Sequence, residues 1–533
     1  MTAATATRPR LLLSGKLPGR LDVRLLAPSL FVALNGVVFV LVKPSVNDLW
    51  AARARASAVE NGVGLTYWFS WFGGGATPGN YSVLTPYLCA AIGTEMVGAL
   101  SALVISLLIP LLVRDTRHPL PATVVGAVVV CCNLWNGRVP YLLGAAVGLG
   151  AVIALRRGHR TATVGLTLLS ILASPVSGAF IGLGLSGTFL TTRTRAYRPI
   201  IAYAVISAGL ALIAVAAAFG MPGPEPFSNG LFFEVMCGLL ALWVSWPSDH
   251  VRTTLGVTLI AVVGVWLIPN GLGSNISRFV LSCLPVLVLA TSTRRRFWAV
   301  AGVIPVVCMS LGTTAYDLFY ASQPISSVAY YQGLVRELDH LPDLRDYRLE
   351  IVNHGAHAGD DALVGHALLA RGWETQEDTA LNAILTSPKL DAVSYKVWLD
   401  NNAVGYVALP NDSTDGLAEY ALVQTGKASY LHRIWSSAQW QLFQVDDPTP
   451  IVARPASMVG NDQKSMTISV PCACTIGIRV RWSKFLVATR QDPDPEVRPV
   501  LGRLVDDGTG WTRLTTSEPG TYVLRGSLKG LLH

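Results

Sequence analysis

The 533-residue sequence predicts a mainly α-helical, polytopic membrane bundle of about eleven transmembrane helices, followed by an extracytoplasmic α/β plus β-sandwich region. Three observations predict it. Hydrophobic residues make up 51% of the chain and charged residues only 14%, where soluble domains carry about 25% charge. Mean hydropathy is +0.45. The net charge of +8 also divides unevenly: residues 1–320 hold 22 Lys+Arg against 9 Asp+Glu, and residues 321–533 hold 19 against 24. The first part is therefore basic and apolar, the second mildly acidic and soluble in character. Basic residues at membrane edges account for the positive charge, so no nucleic-acid partner is expected.

A crossing needs about 20 apolar residues for about 30 Å of hydrocarbon. Apolar runs bounded by charge or by Pro, Gly and Asn fall at about 24–42, 83–112, 120–135, 139–155, 161–173, 175–191, 199–220, 231–247, 253–268, 277–292 and 297–319. Arg8, Arg10, Lys16, Arg20 and Arg24 precede the first run with no small-residue cleavage site, which reads as a cytoplasmic lead into a retained helix. Placing that end inside puts 17 of the 22 basic residues on cytoplasmic connections, among them Arg114, Arg156, Arg193, Arg252 and Arg294, as the positive-inside rule requires. Lys43, Arg53, Arg55, Arg138 and Arg278 remain outside. The parity depends on residues 161–191, which would make one helix of about 46 Å unless Ser174-Pro175 divides them. A hairpin of two half-spans keeps both flanking Arg clusters inside, and the odd count then carries the C-terminal part out of the cytoplasm.

Three domains follow: a transmembrane domain over residues 1–322 with a long first outer loop at 43–82, an extracytoplasmic α/β domain at 323–450 and an extracytoplasmic β-rich domain at 451–533. The α/β domain should contain helices near 328–341, 361–371 and 390–401, alternating with strands at 348–352, 404–408 and 440–445. Beyond 451, short strands such as 466–470, 475–482 and 521–524 are separated by Gly, Pro and Asp turns. Cys472 and Cys474, two apart on one face of a strand, leave a strained Cys-x-Cys disulfide open in an oxidising compartment, with unbridged thiols the favoured reading.

Asp48 is the candidate catalytic residue. It stands six positions beyond the first span, ahead of a loop rich in Trp, Tyr and Phe, where an ionised carboxylate can take a proton from a hydroxyl within about 3 Å. Arg138 and Arg278 are outward cations at otherwise uncharged span ends, and guanidinium grips phosphate oxygens in pairs; a membrane lipid phosphate is the partner they suit. Glu95 and Glu234 lie in spans, where ionisable groups are functional candidates, and Glu60 is the next acid after Asp48. His354, His357, Asp360, Asp361 and His366 match no metal-ligand spacing. Walker, Rossmann and nucleophile-elbow motifs are absent, so neither metal nor cofactor is expected.

Several of these stretches resemble the polytopic type C (GT-C) glycosyltransferases. They are the first span with its outer acid and aromatic loop, Thr77-Pro-Gly-Asn-Tyr-Ser-Val-Leu-Thr-Pro, Gly137-Arg-Val-Pro-Tyr-Leu-Leu-Gly, Ala173-Ser-Pro-Val-Ser-Gly and Ser274-Asn-Ile-Ser-Arg-Phe. The tail, with Ala370-Arg-Gly-Trp-Glu-Thr-Gln-Glu-Asp and Tyr395-Lys-Val-Trp-Leu-Asp-Asn-Asn-Ala-Val-Gly-Tyr-Val-Ala-Leu-Pro, looks like actinobacterial membrane proteins of the same plan. The resemblance implies inverting transfer of a sugar, arabinosyl or mannosyl, from a polyprenyl-phosphate donor to a cell-envelope glycan or lipid acceptor at the outer face of the plasma membrane. It assigns Asp48 as base and Arg278 as a donor-phosphate contact; Arg138, as the other outward cation, is read as a second donor-phosphate ligand. One departure stands out: many members pair two acids in the first loop, whereas Leu49 follows Asp48 here. A multi-pass transporter and a non-catalytic envelope glycan-binding scaffold are the competing classes. An odd span count with a large external tail fits two matched transporter halves poorly.

Overall fold

A computed structural model describes residues 22–75, 77–80, 82–191, 198–220, 223–352, 358–411, 418–491 and 500–528. The chain packs as two units: residues 1–44, 81–217 and 225–318 form the first, and residues 45–80, 218–224 and 319–533 the second.

The first unit is helical. Its elements are α1 (Ala27–Val42); after α2 (Asn47–Glu60) of the second unit come α3 (Thr85–Ile92), α4 (Thr94–Val113), α5 (Pro119–Trp135), α6 (Val139–Arg156), α7 (Arg160–Ala173), α8 (Pro175–Thr191), α9 (Arg198–Phe219), α10 (Asn229–Val244), α11 (Asp249–Leu267), α12 (Leu284–Thr291) and α13 (Arg296–Ala321). Among the described residues, seven helical stretches are long and apolar enough to cross a membrane, while α5, α7, α8 and α10 are apolar but span only 14 to 17 residues. Eleven full-length crossings are therefore not established. The run at 83–112 is two helices rather than one, because Gly93 at φ 92° takes a conformation that a helix cannot continue. At Ser174 the backbone is extended, and Pro175 starts a new helix where its missing N–H matters least.

The bundle presents an apolar exterior. On α1, Val32, Gly36 and Phe39 are buried while Leu30, Phe31, Leu34 and Leu41 are half or more exposed. In water each exposed side chain would forgo about 1–2 kcal/mol of burial; hydrocarbon removes that penalty. Helices meet through small and hydroxyl residues, as membrane bundles do. Ser170 and Ser177 donate to the carbonyls of Gly144 and Tyr141 at 2.7 and 2.9 Å, and a Cβ on Gly144 would lie 2.7 Å from Ser177 Oγ.

The second unit begins with α2, so the segment assigned above to a membrane-domain loop packs instead with the tail. The tail continues with α14 (Val328–Leu338), β1 (Arg348–Ile351), α15 (Ala358–Ala362), α16 (Thr375–Leu381), α17 (Ala392–Asn401), β2 (Val404–Pro410), α18 (Ala418–Gln424), β3 (Leu431–Ser436) and β4 (Trp440–Val445). These strands form one sheet in the order β1-β2-β4-β3, with β1 and β2 parallel and the other pairs antiparallel. All seven residues of β2 are buried, since Tyr406 and Ala408 enter one apolar core and Val404, Val407 and Leu409 another. The helix expected at 361–371 is absent. Helix α15 stops at Ala362, and Gly365 at φ 96° turns the chain.

The remaining strands are β5 (Ser457–Asn461), β6 (Ser465–Val470), β7 (Thr475–Arg481), β8 (Leu486–Arg490), β9 (Leu501–Asp506), β10 (Trp511–Thr515) and β11 (Gly520–Gly526). They form one hydrogen-bonded order, β5-β6-β11-β8-β9-β10-β7, rather than two separate sheets. Alternate residues such as Met466, Ile468, Ile476, Ile478 and Tyr522 fill a single core. Cys472 and Cys474 lie in the bend between β6 and β7 and are joined as a disulfide, with Cα atoms 5.4 Å apart. The expectation of free thiols assumed a strand there; a bend brings the two sulfurs together.

Candidate functional site

In the first unit, Arg138 and Arg278 are carried by turns joined through hydrogen bonds. Arg138 caps α6, whose second residue is Pro140. Its guanidinium donates to Asn133 Oδ1 at 3.2 Å, and Asn133 Nδ2 donates to Ser282 Oγ at 2.8 Å. Ser282 lies four residues beyond Arg278, inside a π-helical turn (Phe279–Cys283) that Arg278 itself caps. Tyr141, one turn after Arg138, has its hydroxyl 3.6 Å from Cys283 Sγ. Both arginines are half-buried. The widened turn is a local defect of the kind that often marks functional positions in helices.

Sequence reading missed one acid near this place. The turn ahead of Arg278 docks on residues 225–226: Glu225 N donates to the Asn270 carbonyl at 2.9 Å, Ser274 N to the Pro226 carbonyl at 3.2 Å, and Ser274 Oγ to Glu225 Oε1 at 3.3 Å. Glu225 sits between two prolines outside any apolar run, so hydropathy gave no reason to select it. Hydropathy selected two other acids. Glu234 is exposed on α10 beside the exposed Phe233, and Glu95 is half-buried in the first turn of α4.

Asp48 belongs to the second unit, in the first turn of α2, where the partial positive charge of a helix start favours a carboxylate. It is half-buried, between Asn47 and the fully buried Leu49. Glu60 ends the same helix and is exposed; twelve residues of α-helix separate the two acids by about 18 Å, so they do not act as a pair. Further along, Trp50 Nε1 donates to the Ser326 carbonyl at 3.2 Å, and the Arg53 guanidinium lies 4.6 Å from the Trp50 ring.

Two buried charge clusters follow from the Ala370-to-Asp378 stretch that carries part of the resemblance. Arg55 of α2 pairs with Glu374 at 2.6 Å and donates to the Pro78 carbonyl, with its guanidinium 5.3 Å from the Trp373 ring. Glu377, fully buried, has no hydrogen-bond partner for either carboxyl oxygen among the described residues. Burial, then Glu374, pushes its carboxyl well above the usual range, against the pull of Arg55 and Arg481. Arg371 forms the second cluster with Asp378 at 2.5 Å, Glu350 at 3.3 Å and Glu419 at 3.4 Å, and Tyr395 donates to Glu419 at 2.9 Å. Burial first, then Glu419, raises Glu350 strongly, with Arg371 opposing. With three carboxyls around one guanidinium, a protonated Glu350 relieves the excess negative charge.

No group of three or more metal-ligating side chains occurs among the described residues. His366 pairs with Asp339 at 2.8 Å; His354 and His357, like Arg8, Arg10, Lys16, Arg20 and Arg193, lie outside the described residues, as does the side chain of Asp360.

No family model and no curated protein matches the chain. Among solved structures it is similar to the oligosaccharyltransferase of Archaeoglobus fulgidus in its apo form, at 12% identity over 72% of this chain and 69% of that one, with a TM-score of 0.44. It is similar also to ArnT from Cupriavidus metallidurans, both bound to undecaprenyl phosphate, at 14% identity and a TM-score of 0.45, and in the apo state, at 15% and 0.44; each covers 78% of this chain and 97% of that one.

Proposed function

We propose that the protein is an integral membrane glycosyltransferase that transfers a sugar from a polyprenyl-phosphate donor to a cell-envelope glycan or lipid acceptor on the outer face of the plasma membrane. The N-terminus is cytoplasmic and the second unit extracytoplasmic. The observation that carries this reading is the hydrogen-bonded junction of the Arg138 and Arg278 turns through Asn133 and Ser282. Two half-buried guanidiniums held by apolar helices suit the phosphate of a lipid whose tail lies in hydrocarbon.

In the reaction, Asp48 accepts the proton of the acceptor hydroxyl as its oxygen attacks the anomeric carbon. The bond from that carbon to the lipid phosphate breaks, and the departing phosphate carries away the electron pair. Arg278 and Arg138 hold the charge that develops on it. One displacement inverts the anomeric configuration, and no cofactor takes part. The test is transfer by purified protein in lipid nanodiscs supplied with polyprenyl-phosphate sugars. Full activity in Asp48→Asn would remove the base from the mechanism.

Leu49 supports a second reading. A buried leucine stands where a second acid would pair with Asp48, which suits a member that binds lipid-linked sugar without turning it over. Donor binding with no product from the wild-type protein, across arabinosyl and mannosyl donors, would favour that case.

A further inference from the structure

Within the second unit, α17, β7 and the turn between β9 and β10 enclose an open cleft of about 860 Å³, within the range of small-molecule sites. Arg454, Arg479 and Arg481 line it, with Asn402, Asp507 and Trp511. Arg481 stacks on the Trp511 ring at 3.8 Å, Arg479 lies 6.0 Å from the same ring, and Arg348 approaches it at 5.7 Å.

None of these four arginines forms an ion pair with a carboxylate among the described residues. The one acid in the lining is already engaged: Asp507 accepts from Thr509 N and Thr509 Oγ at 2.8 and 2.6 Å and from Trp511 N at 3.3 Å. Its polar neighbour Asn402 accepts from Arg481 at 3.3 Å, which fixes that guanidinium against the wall. Arg481 Nε is buried and has no partner among the described residues. Arg348 is held well below its usual range, by burial first and by Arg481 and Arg479 in addition, yet guanidinium keeps its charge at neutral pH. Four guanidiniums against the one lining carboxylate, Asp507, leave a net positive charge facing a cavity whose remaining polar groups are amides and hydroxyls.

We infer that this cleft binds an anionic saccharide, with a phosphate or carboxylate held by Arg454, Arg479 and Arg481 and the sugar hydroxyls met by the neighbouring amides. Binding there does not depend on the proposed transfer chemistry. Guanidinium forks match both oxyanions, and the anion restores the charge balance that the protein itself does not supply.

Calorimetric titration of the full-length protein in nanodiscs tests this with mannose 6-phosphate, glucuronic acid, mannose and inorganic phosphate as probes. The charged sugars should bind and mannose should not, with affinity falling as NaCl rises. Comparison of the two charged sugars identifies which oxyanion the cleft prefers. Arg454→Gln, at an exposed position where folding is not at stake, should weaken binding about 10-fold, and Arg479→Gln by at least as much. Equal binding of mannose, or unchanged affinity in both variants, overturns the site. Inorganic phosphate binding as tightly as mannose 6-phosphate overturns the saccharide part of the assignment.

Discussion

Arg55 and Glu374 form an ion pair at 2.6 Å in which both side chains are 2–3% exposed, although 319 residues of sequence separate them. Removing one partner strands a charge in the interior. Arg55→Met should therefore destabilise the second unit by about 3–5 kcal/mol, and the double replacement Arg55→Met with Glu374→Met should recover most of that loss. Urea unfolding of the full-length protein, followed by tryptophan fluorescence, measures both. A double variant no more stable than the single one would show that the pair itself is not the cause.

Transfer activity should fall by about 10² to 10⁴ in Asp48→Asn, the range over which general-base catalysis contributes. Donor affinity should change little, because the replacement keeps shape and removes only the ionised acceptor. Glu60→Gln, on an exposed residue about 18 Å along the same helix, should leave the rate unchanged. A matching loss in both variants would point away from a single base at the helix start.

On the proposed mechanism Asn133 acts as a positioning residue, since it links the Arg138 guanidinium to Ser282. A hydrogen bond to a charged group contributes about 1.5–3 kcal/mol, so Asn133→Ala should raise the donor KM about 10- to 100-fold with a smaller effect on kcat. Asn133→Gln should rescue part of the loss. An Asn133→Ala enzyme with unchanged KM and a reduced folded fraction would mark the network as structural only.

Glu350 sets a pH dependence of stability. Its folded carboxyl titrates well above the usual range because of burial and then Glu419, so the folded state keeps a proton that the unfolded chain has released. Stability from this group is complete below about pH 4 and declines as pH rises from there toward the folded value. Thermal unfolding of the second unit between pH 5 and pH 8 should therefore show a falling midpoint, and Glu350→Gln, which keeps the neutral form at every pH, should flatten the slope. An unchanged slope in the variant would assign the dependence to other groups.

Local signals carried much of the fold. Apolar runs located most helices of the first unit though not eleven full-length crossings, Ser174-Pro175 marked the break between α7 and α8, and alternation placed β4 at Trp440–Val445 and β7 near residues 475–481. What escaped was set by partners far away in sequence. Arg55 reads as one more outward cation of a first loop, yet its burial follows from Glu374. The Gly93 break was hidden because an isolated glycine in an apolar run is tolerated as often as it interrupts one. At the candidate site, charge at span ends singled out Arg138 and Arg278. Asn133, Ser282 and Glu225 are common polar residues whose roles come from the turns that meet them.

The placement of α2 has a consequence for how the protein is made. The helix leaves the ribosome with its first crossing, but Ser326 and Glu374, which receive Trp50 and Arg55, follow 276 and 319 residues later. At about 5–20 residues per second, Arg55 waits roughly 15–60 s for its carboxylate. Throughout that interval α2 has only its nearby partners, such as the Pro78 carbonyl that receives Arg55, so completion of the second unit is timed by insertion of the whole bundle.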